Sequence, residues 1–202
     1  MAFFDWAAPL FYRFLDGRWT AEDIEILAGH LRPAVPPGGS LLDLGGGTGG
    51  LATRMAGALA ARITIVDPTP RMLARVPAHP ALTVRLGTAE AVPFPDGVFD
   101  AVLVSDAFHH FRDLDRAVGE MVRVTRPGGT ILILEIDPAG WRRLIVAFER
   151  LVGEPAHFLA PEALCAFMGA RGVQGRCVTY DAVSYLFVGR VRTRDRAEPE
   201  AV

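Results

Sequence analysis

The chain has 202 residues, of which 50% are hydrophobic, and a formal net charge of −2, so it is long enough for one substantial core and short for two full domains. A nearly neutral chain lacks the basic surface expected of proteins that bind nucleic acid or anionic membranes, and no run of about 18 apolar residues predicts a spanning helix. All 21 basic residues are arginine, which excludes a Schiff-base lysine and a Walker-type phosphate lysine.

The N-terminal part of the chain predicts two helices. Residues 3–16 carry apolar side chains at helical spacing, and residues 20–32 form a second helical pattern with Thr20 as its N-cap. Charged residues interrupt the first segment, which also lacks the basic start of a signal peptide. Cys165 and Cys177 are too few for a disulfide framework or a zinc site, and we expect both to stay reduced in a cytoplasmic protein.

From residue 40 onward, short apolar strands alternate with helices. The predicted strands span 41–44, 63–67, 82–86, 100–105 and 130–136, and the predicted helices between them span 51–61, 69–76 and 114–125. Nearly continuous apolar strands that alternate with helices indicate an α/β, doubly wound, mostly parallel sheet covered on both faces. Ligands of such sheets bind beyond the carboxyl ends of the strands.

The last third of the chain changes character. Residues 138–172 have a mostly helical pattern, and residues 173–180 and 183–191 predict two further strands. The charged end, residues 193–202, is low in apolar content, and we expect it to be disordered.

A glycine-rich loop, "GGGTGG", follows the first predicted strand. Gly45, Gly47 and Gly49 fit the pattern G-x-G-x-G, and the first two also fit the dinucleotide pattern G-x-G-x-x-G with Gly50. Both patterns need glycine because the turn requires unusual dihedral angles and the backbone must approach a ligand closely. A tight strand-to-helix turn without a ligand is the structural alternative.

Two acidic residues bear on the class of ligand. Asp67 ends the second strand, 18 residues after Gly49, a spacing that suits a carboxylate accepting hydrogen bonds from both ribose hydroxyls and disfavours a 2′-phosphate. Its alternative role is to cap the helix that begins near Thr69. Asp43 precedes the first glycine by two residues, where it would repel a pyrophosphate and attract a ligand that carries an ammonium and a sulfonium group. Asp43 could equally bond to amides of the loop.

The segments "LLDLGGGTGGLA", "ITIVDPTPRML" and "SDAFHHFRDLDRAVGEMVRVTRPGGTILILEID" together resemble class I S-adenosylmethionine-dependent methyltransferases, in particular the type 11 group of ubiquinone and menaquinone biosynthesis. The resemblance implies a Rossmann-like, three-layer fold with seven strands, the last of them antiparallel. It also implies one domain over residues 1–192, in which a cofactor-binding core at 38–137 lies between an N-terminal helical lid at 1–35 and a helical substrate lid at 138–172, with C-terminal strands at 173–192.

The resemblance further implies contacts to S-adenosylmethionine, whose product is S-adenosylhomocysteine. The loop Gly45–Gly49 would hold the methionine part, Asp67 the ribose, and Ser105 would lie next to the methyl group. Met72 and the segment Thr88-Ala89-Glu90 would border the adenine, with the Ala89 N–H at its edge, and Tyr12 would belong to a helix that closes over the cofactor. The full implied set of cofactor contacts is Tyr12, Asp43, Gly45, Gly46, Gly47, Gly49, Asp67, Pro68, Met72, Thr88, Ala89, Glu90 and Ser105.

Two of these positions depart from the family's pattern. Many relatives have aspartate where this chain has Thr88, which weakens the expected contact to the adenine amino group. Pro68 stands where relatives commonly have a residue with an N–H.

His109 and His110 follow the fourth predicted strand directly. Histidine titrates near neutral pH, so either residue could take a proton from a phenol or an enol; their structural alternative is bonding to the backbone at the start of a helix. Apolar residues of the predicted substrate lid favour an apolar or aromatic acceptor unless they belong to the ordinary core; these are Trp141, Phe148, Phe158, Phe167 and Met168.

The sequence therefore predicts an S-adenosylmethionine-dependent methyltransferase of a small, apolar or aromatic molecule, with no metal and no nucleic-acid partner. The spacing of the glycines leaves an NAD-dependent oxidoreductase as one alternative, and a non-catalytic regulatory protein that binds S-adenosylmethionine is another. The apolar N-terminal helix could serve as a lid or as a homodimer interface. Carbon, oxygen and nitrogen acceptors all use this fold, so the fold does not choose between them.

Overall fold

The computed structural model describes residues 19–140 and 155–193. The first predicted helix with Tyr12, the lid residues Trp141 and Phe148, and all but the first residue of the predicted disordered tail lie outside the described residues. The helices are α1 (Ala21–Leu31), α2 (Gly50–Leu59), α3 (Pro70–Leu73), α4 (Leu114–Val124) and α5 (Pro161–Gly169). The strands are β1 (Ser40–Leu44), β2 (Arg62–Asp67), β3 (Leu82–Leu86), β4 (Phe99–Ser105), β5 (Thr125–Ile136), β6 (Val173–Thr179) and β7 (Ser184–Val191).

The strands form one sheet in the order β3-β2-β1-β4-β5-β7-β6. Strands β1 to β5 pair in parallel, whereas β7 is antiparallel to both β5 and β6. This arrangement confirms the predicted α/β fold, including the reversed last strand. It also brings the carboxyl ends of β1, β2, β3, β4 and β5 to the same edge of the sheet, where ligands of such sheets bind.

Each face of the sheet has its own apolar core because successive side chains of a strand point to opposite faces. On β1, Leu41 packs with helices α1 and α2, and its neighbour Leu42 packs on the other face with α4 and α5. Both leucines are fully buried. The parallel strands of the sheet interior are thus covered on both sides, as their continuous apolar sequences predicted.

Helix α1 is fixed at both its start and its side. Thr20 and Asp23 form a reciprocal capping box, which confirms Thr20 as the N-cap. The hydroxyl of Tyr180, in the turn between β6 and β7, donates a hydrogen bond to the Asp23 carboxylate. No helix in the described part of the chain is long and apolar enough to cross a membrane.

Three local predictions were wrong or incomplete. Helix α3 ends at Leu73 instead of near Val76, because Pro77 disfavours the helical conformation of the residue before it; the N–H of Val76 bonds instead to the Leu73 carbonyl. Strand β5 begins at Thr125, five residues before its predicted start. Strand β3 lies at the edge of the sheet and leaves Leu86 60% exposed, so it is not covered on both faces. Cys165 and Cys177 are free thiols, with their Sγ atoms 2.8 Å apart.

Candidate functional site

The glycine loop forms the turn between β1 and α2. Gly45, Gly47 and Gly49 have φ angles of 77°, 54° and 74°, a region that L side chains rarely adopt. A Cβ on Gly45 would lie 2.6 Å from the Cβ of Ala107, so this glycine is required by the packing of the loop after β4. Around Gly47, by contrast, no heavy atom of the described residues lies within 4 Å of the position of a Cβ. The backbone at Gly47 therefore faces open space.

Asp43 lies beneath this loop and is 1% exposed. Its Oδ2 has no hydrogen-bond partner among the residues that the structure describes, and a Cβ on Gly46 would come within 2.4 Å of it. Burial and, to a smaller extent, the charge of Asp67 together raise the pKa of Asp43 to about 7. An unpaired buried carboxylate is unfavourable, so a cation or a hydrogen-bond donor that contacted this oxygen would be stabilising.

Asp67 lies at the end of β2 and contacts the loop. Its Oδ2 accepts a hydrogen bond from the Gly47 N–H at 3.1 Å, and its Oδ1 accepts one from the Thr69 N–H at 2.8 Å. The second bond is the one expected if Asp67 stabilises the start of the next helix, so this alternative is present in the structure. Burial raises the pKa of Asp67, while these backbone donors act in the opposite direction.

The predicted adenine contacts lie after β2 and β3. Met72 and Ala89 are buried, whereas Pro68 and Thr88 are exposed. The N–H of Gly87 donates to the Asp67 carbonyl at 3.3 Å, which joins the two strand ends. Glu90 accepts hydrogen bonds from the backbone N–H groups of Arg112 and Asp113, so it ties the loop after β3 to the start of α4.

The loop after β4 brings the two predicted catalytic histidines to the same edge. Ser105 ends β4, and its Oγ is buried without a hydrogen-bond partner in residues 19–140 and 155–193. Asp106 follows with φ of 48°, which aspartate tolerates better than most residues. A 3₁₀ turn then spans Phe108–His110. Ala107 and Phe111, on either side of this turn, both approach the Cβ position of Gly45, so the turn that carries the histidines begins and ends beside the glycine loop.

His109 is 3% exposed and pairs with Glu135 of β5. The ring Nδ1 lies 2.8 Å from Glu135 Oε1 and 2.9 Å from Oε2. The ring also stacks on Phe158, with centroids 4.0 Å apart and an interplanar angle of 16°. Burial lowers the pKa of His109 to about 4 and raises the pKa of Glu135 to about 7.

Glu135 is a candidate that the sequence analysis missed. The available signal was a single acidic residue in the otherwise apolar run "TILILEI", positioned where the strand reaches the ligand-binding edge. An acid at that place in a buried strand needs partners, and His109 is one of them.

Most of the other predicted residues contact the backbone or the core. His110 Nδ1 donates to the Pro155 carbonyl at 3.2 Å, which matches the structural alternative for this histidine. Met168 is fully buried in the core under α5, which matches the ordinary-core alternative for this residue. Phe167 packs against the same core and lies under the Arg171 guanidinium. Among the predicted lid residues that the structure describes, Phe158 is the one that contacts His109.

Comparison with known proteins gives a family match over residues 42–133, described as a methyltransferase domain. The chain is 35% identical over 164 residues to demethylmenaquinone methyltransferase of Thermus thermophilus, covering 67% of this chain and 74% of the relative. It is 38% identical over 117 residues to the ubiquinone/menaquinone biosynthesis C-methyltransferase UbiE of Rubrivivax gelatinosus, covering 56% of this chain and 46% of the relative.

Solved structures agree on the fold. A geranyl diphosphate methyltransferase in complex with GPP and sinefungin superposes with a TM-score of 0.72 at 16% identity, covering 84% of this chain and 78% of the other. Identity this low shows a shared fold and carries no conclusion about the acceptor.

Proposed function

We propose an acceptor for this chain, which belongs to the type 11 methyltransferase-domain family and is an S-adenosylmethionine-dependent methyltransferase. The proposed reaction transfers a methyl group to a small aromatic molecule that carries an ionisable hydroxyl group, such as a quinol or a phenol. Family membership decides against the NAD-dependent oxidoreductase and the non-catalytic protein that the sequence left as alternatives.

The unpaired Oδ2 of Asp43 beneath the glycine loop is the observation that carries the cofactor assignment. Asp43 and Asp67 are both buried, and after burial itself the charge of Asp67 is what raises the pKa of Asp43, so the two carboxylates repel each other when both are ionised. S-adenosylmethionine carries an ammonium and a sulfonium group, and a ligand with those charges relieves this repulsion. A pyrophosphate would increase it. The open space at Gly47 supports the same fit, since a ligand can approach the bare backbone there.

Each residue of this edge has a proposed role toward the cofactor. The loop around Gly47 and the carboxylate of Asp43 hold its amino-acid part, and Asp67 accepts hydrogen bonds from the ribose. Ser105, whose Oγ is unpaired in the described residues, lies beside the reacting group. When bound, S-adenosylmethionine supplies a methyl group whose bond to positively charged sulfur breaks with both electrons going to sulfur.

The acceptor must become a good nucleophile. A hydroxyl group reacts faster once its proton is removed, and a neutral histidine at the site can take that proton. Burial keeps His109 neutral by lowering its pKa, and the turn that carries it packs next to Gly45. The chain's main task is then to align the acceptor and exclude water.

Two observations support an aromatic acceptor. Phe158 stacks on the His109 ring, so an aromatic surface already adjoins the proposed base, and flat rings pack well against such surfaces. Two relatives have printed names that refer to demethylmenaquinone and to ubiquinone and menaquinone biosynthesis. Since this chain spans 46% of the second relative, the identity of the acceptor is a proposal for this chain.

A methyl-transfer assay with isotopically labelled S-adenosylmethionine tests the proposal. The acceptors are a 1,4-naphthoquinol without a ring methyl group, a panel of substituted phenols, and histamine as an amine control. We expect label in the naphthoquinol or the phenols and none in histamine. Methylation of histamine alone would overturn the proposed acceptor class, and mass spectrometry of the product would distinguish carbon from oxygen methylation.

A further inference from the structure

We propose that Glu135 is a positioning residue for the methyl-transfer reaction: it holds the His109 ring in the tautomer with hydrogen on Nδ1, so that Nε2 takes the acceptor's proton. The inference deepens the proposed function and rests on it in one respect, because it requires an acceptor that carries an ionisable proton.

The contacts of Glu135 favour its ionised form. Its Oε2 accepts the His109 backbone N–H at 3.1 Å, and its Oε1 accepts the Ile136 backbone N–H at 2.8 Å. A carboxylate that receives a fixed backbone donor on each oxygen is stabilised as an anion. Burial acts in the opposite direction and raises the pKa of Glu135 to about 7.

The tautomer follows from this arrangement. Nδ1 lies within hydrogen-bond distance of both carboxylate oxygens, and an ionised carboxylate can only accept. When Glu135 is ionised, Nδ1 therefore carries the hydrogen, and in a neutral ring the lone pair is then on Nε2. The carboxylate also stabilises the imidazolium that forms when Nε2 gains a proton.

The proton step balances within the pair and the acceptor. The acceptor's O–H bond breaks, an N–H bond forms at Nε2, and the electron pair of the broken bond stays on the acceptor as the nucleophile. The buried pair of Glu135 and His109 then changes from a net charge of −1 to a net charge of zero, as a carboxylate next to an imidazolium. No oxidant or metal is required.

The position of Glu135 connects this pair to the cofactor edge. Ser105 of β4 is in register with Leu134 of β5, so Glu135 lies one residue beyond the end of β4. The 3₁₀ turn of His109 is held against Gly45 by its flanking residues. The Glu135–His109 pair therefore lies in the same region as the glycine loop and the carboxyl ends of β4 and β5.

Other charged and titratable groups act on this pair from neighbouring elements. The charge of Asp106 raises the pKa of His109, and His157 lowers it. His110 lowers the pKa of Glu135. Tyr185 of β7 lies close enough for the charge of Glu135 to raise its pKa, and its hydroxyl donates to the Leu159 carbonyl at 2.7 Å. The carboxylate of Glu135 lies within hydrogen-bond distance of Nδ1, so we expect the tautomer to depend on it.

The competing interpretation is that Glu135 only anchors the turn to β5. Turnover as a function of acceptor acidity separates the two, because a phenol that is already ionised needs no base. In Glu135→Gln we expect turnover of weakly acidic phenols to fall by roughly 100-fold or more. Turnover of nitrophenols that are ionised at the assay pH should fall by less than about threefold. His109→Gln removes the base itself and should show the same selective loss. Equal losses for both classes of acceptor in both variants would overturn the inference.

Glu120→Gln is the matched control. Glu120 also accepts a backbone N–H, from Val92, but it pairs with Arg123 on α4 instead of with a histidine at the carboxyl ends of the strands. Its replacement should leave the ratio of the two turnover rates unchanged.

Nitrogen-15 NMR of the histidine rings in the complex with S-adenosylmethionine gives a readout that needs no turnover. We expect the Nδ1–H tautomer for His109 in the wild type and its loss in Glu135→Gln. An Nε2–H tautomer in the wild type would overturn this inference and leave the proposed function intact. A wild-type protein that binds S-adenosylmethionine, has the Nδ1–H tautomer and methylates only acceptors without an ionisable proton would overturn both.

Discussion

The backbone N–H of Gly47 donates to the Oδ2 atom of Asp67 at 3.1 Å, so the acidic residue at the end of β2 and the glycine loop after β1 are directly bonded. This bond joins the two sequence features that pointed most clearly to a ribose-containing cofactor. Under the proposed role of Asp67, this carboxylate would accept ribose hydroxyls in addition to, or in place of, the Gly47 N–H.

Replacing Asp67 with alanine should weaken S-adenosylmethionine binding by at least about tenfold. The variant removes an acceptor of charge-assisted hydrogen bonds, each worth about 1.5–3 kcal/mol when its partner is left unpaired. Calorimetric titration measures the change. Asp115→Ala is the control, because Asp115 is 71% exposed in its pair with Arg171 and such surface pairs contribute little. Equal affinity in Asp67→Ala and Asp115→Ala would contradict the proposed role.

Asp43→Asn should have opposite effects on stability and on binding. The folded protein keeps a proton on Asp43 between pH 3.8 and about pH 7, where the unfolded chain has released it. The free energy of unfolding of the wild type therefore falls as the pH rises through this range, by about 4 kcal/mol when both pKa values are used. The variant lacks this fall, so without ligand it should be more stable than the wild type at pH 8 and should bind S-adenosylmethionine more weakly.

Urea unfolding at pH 4.5 and pH 8 tests this pattern. A variant that is less stable than the wild type at both pH values would show that Asp43 stabilises the loop in its ionised form, contrary to the burial and unpaired oxygen described above.

Gly45→Ala should mainly lower the stability of the fold, whereas Gly47→Ala should mainly weaken cofactor binding. At Gly45 the new methyl group would overlap Ala107, in addition to a strained φ, so we expect a loss of unfolding free energy of 2 kcal/mol or more, roughly the sum of strain and overpacking. At Gly47 no described residue occupies the space, so we expect only about 1 kcal/mol of strain but a large loss of cofactor affinity. Thermal unfolding without ligand and titration with S-adenosylmethionine provide the two measurements.

Gly119→Ala is the control for the glycine pair. Gly119 lies inside α4 with open space around its Cβ position, and alanine is favoured over glycine in a helix by about 1 kcal/mol. This variant should be slightly more stable than the wild type and should bind the cofactor unchanged. Weaker binding in Gly119→Ala would show that the titration responds to changes far from the loop.

The sheet and the glycine loop could be predicted because their signals are local. Short apolar strands specify burial on both faces, and the positive φ angles at Gly45 and Gly47 restrict those positions to glycine almost regardless of the rest of the chain. The position of Asp67 at the end of β2 was predictable for a similar reason, since it follows from the apolar pattern of its strand.

Features that depend on tertiary neighbours were missed. Glu135 appeared as an ordinary residue at a strand end, because only the pairing of β4 with β5 brings it to His109. The exposure of Leu86 follows from the place of β3 at the sheet edge, which hydrophobic periodicity does not encode. Met168 has the spacing of a helical apolar face, and its sequence does not say whether that face covers a substrate or the sheet.

Thermal unfolding of the wild type and of Asp67→Ala with S-adenosylmethionine, S-adenosylhomocysteine or NAD in parallel tests the central claim most directly. A ligand at 100 times its dissociation constant adds about 2.7 kcal/mol, which raises the melting temperature by a few degrees. The account predicts this rise with the two sulfur compounds in the wild type, a smaller rise or none in Asp67→Ala, and no rise with NAD. A rise with NAD alone would contradict it.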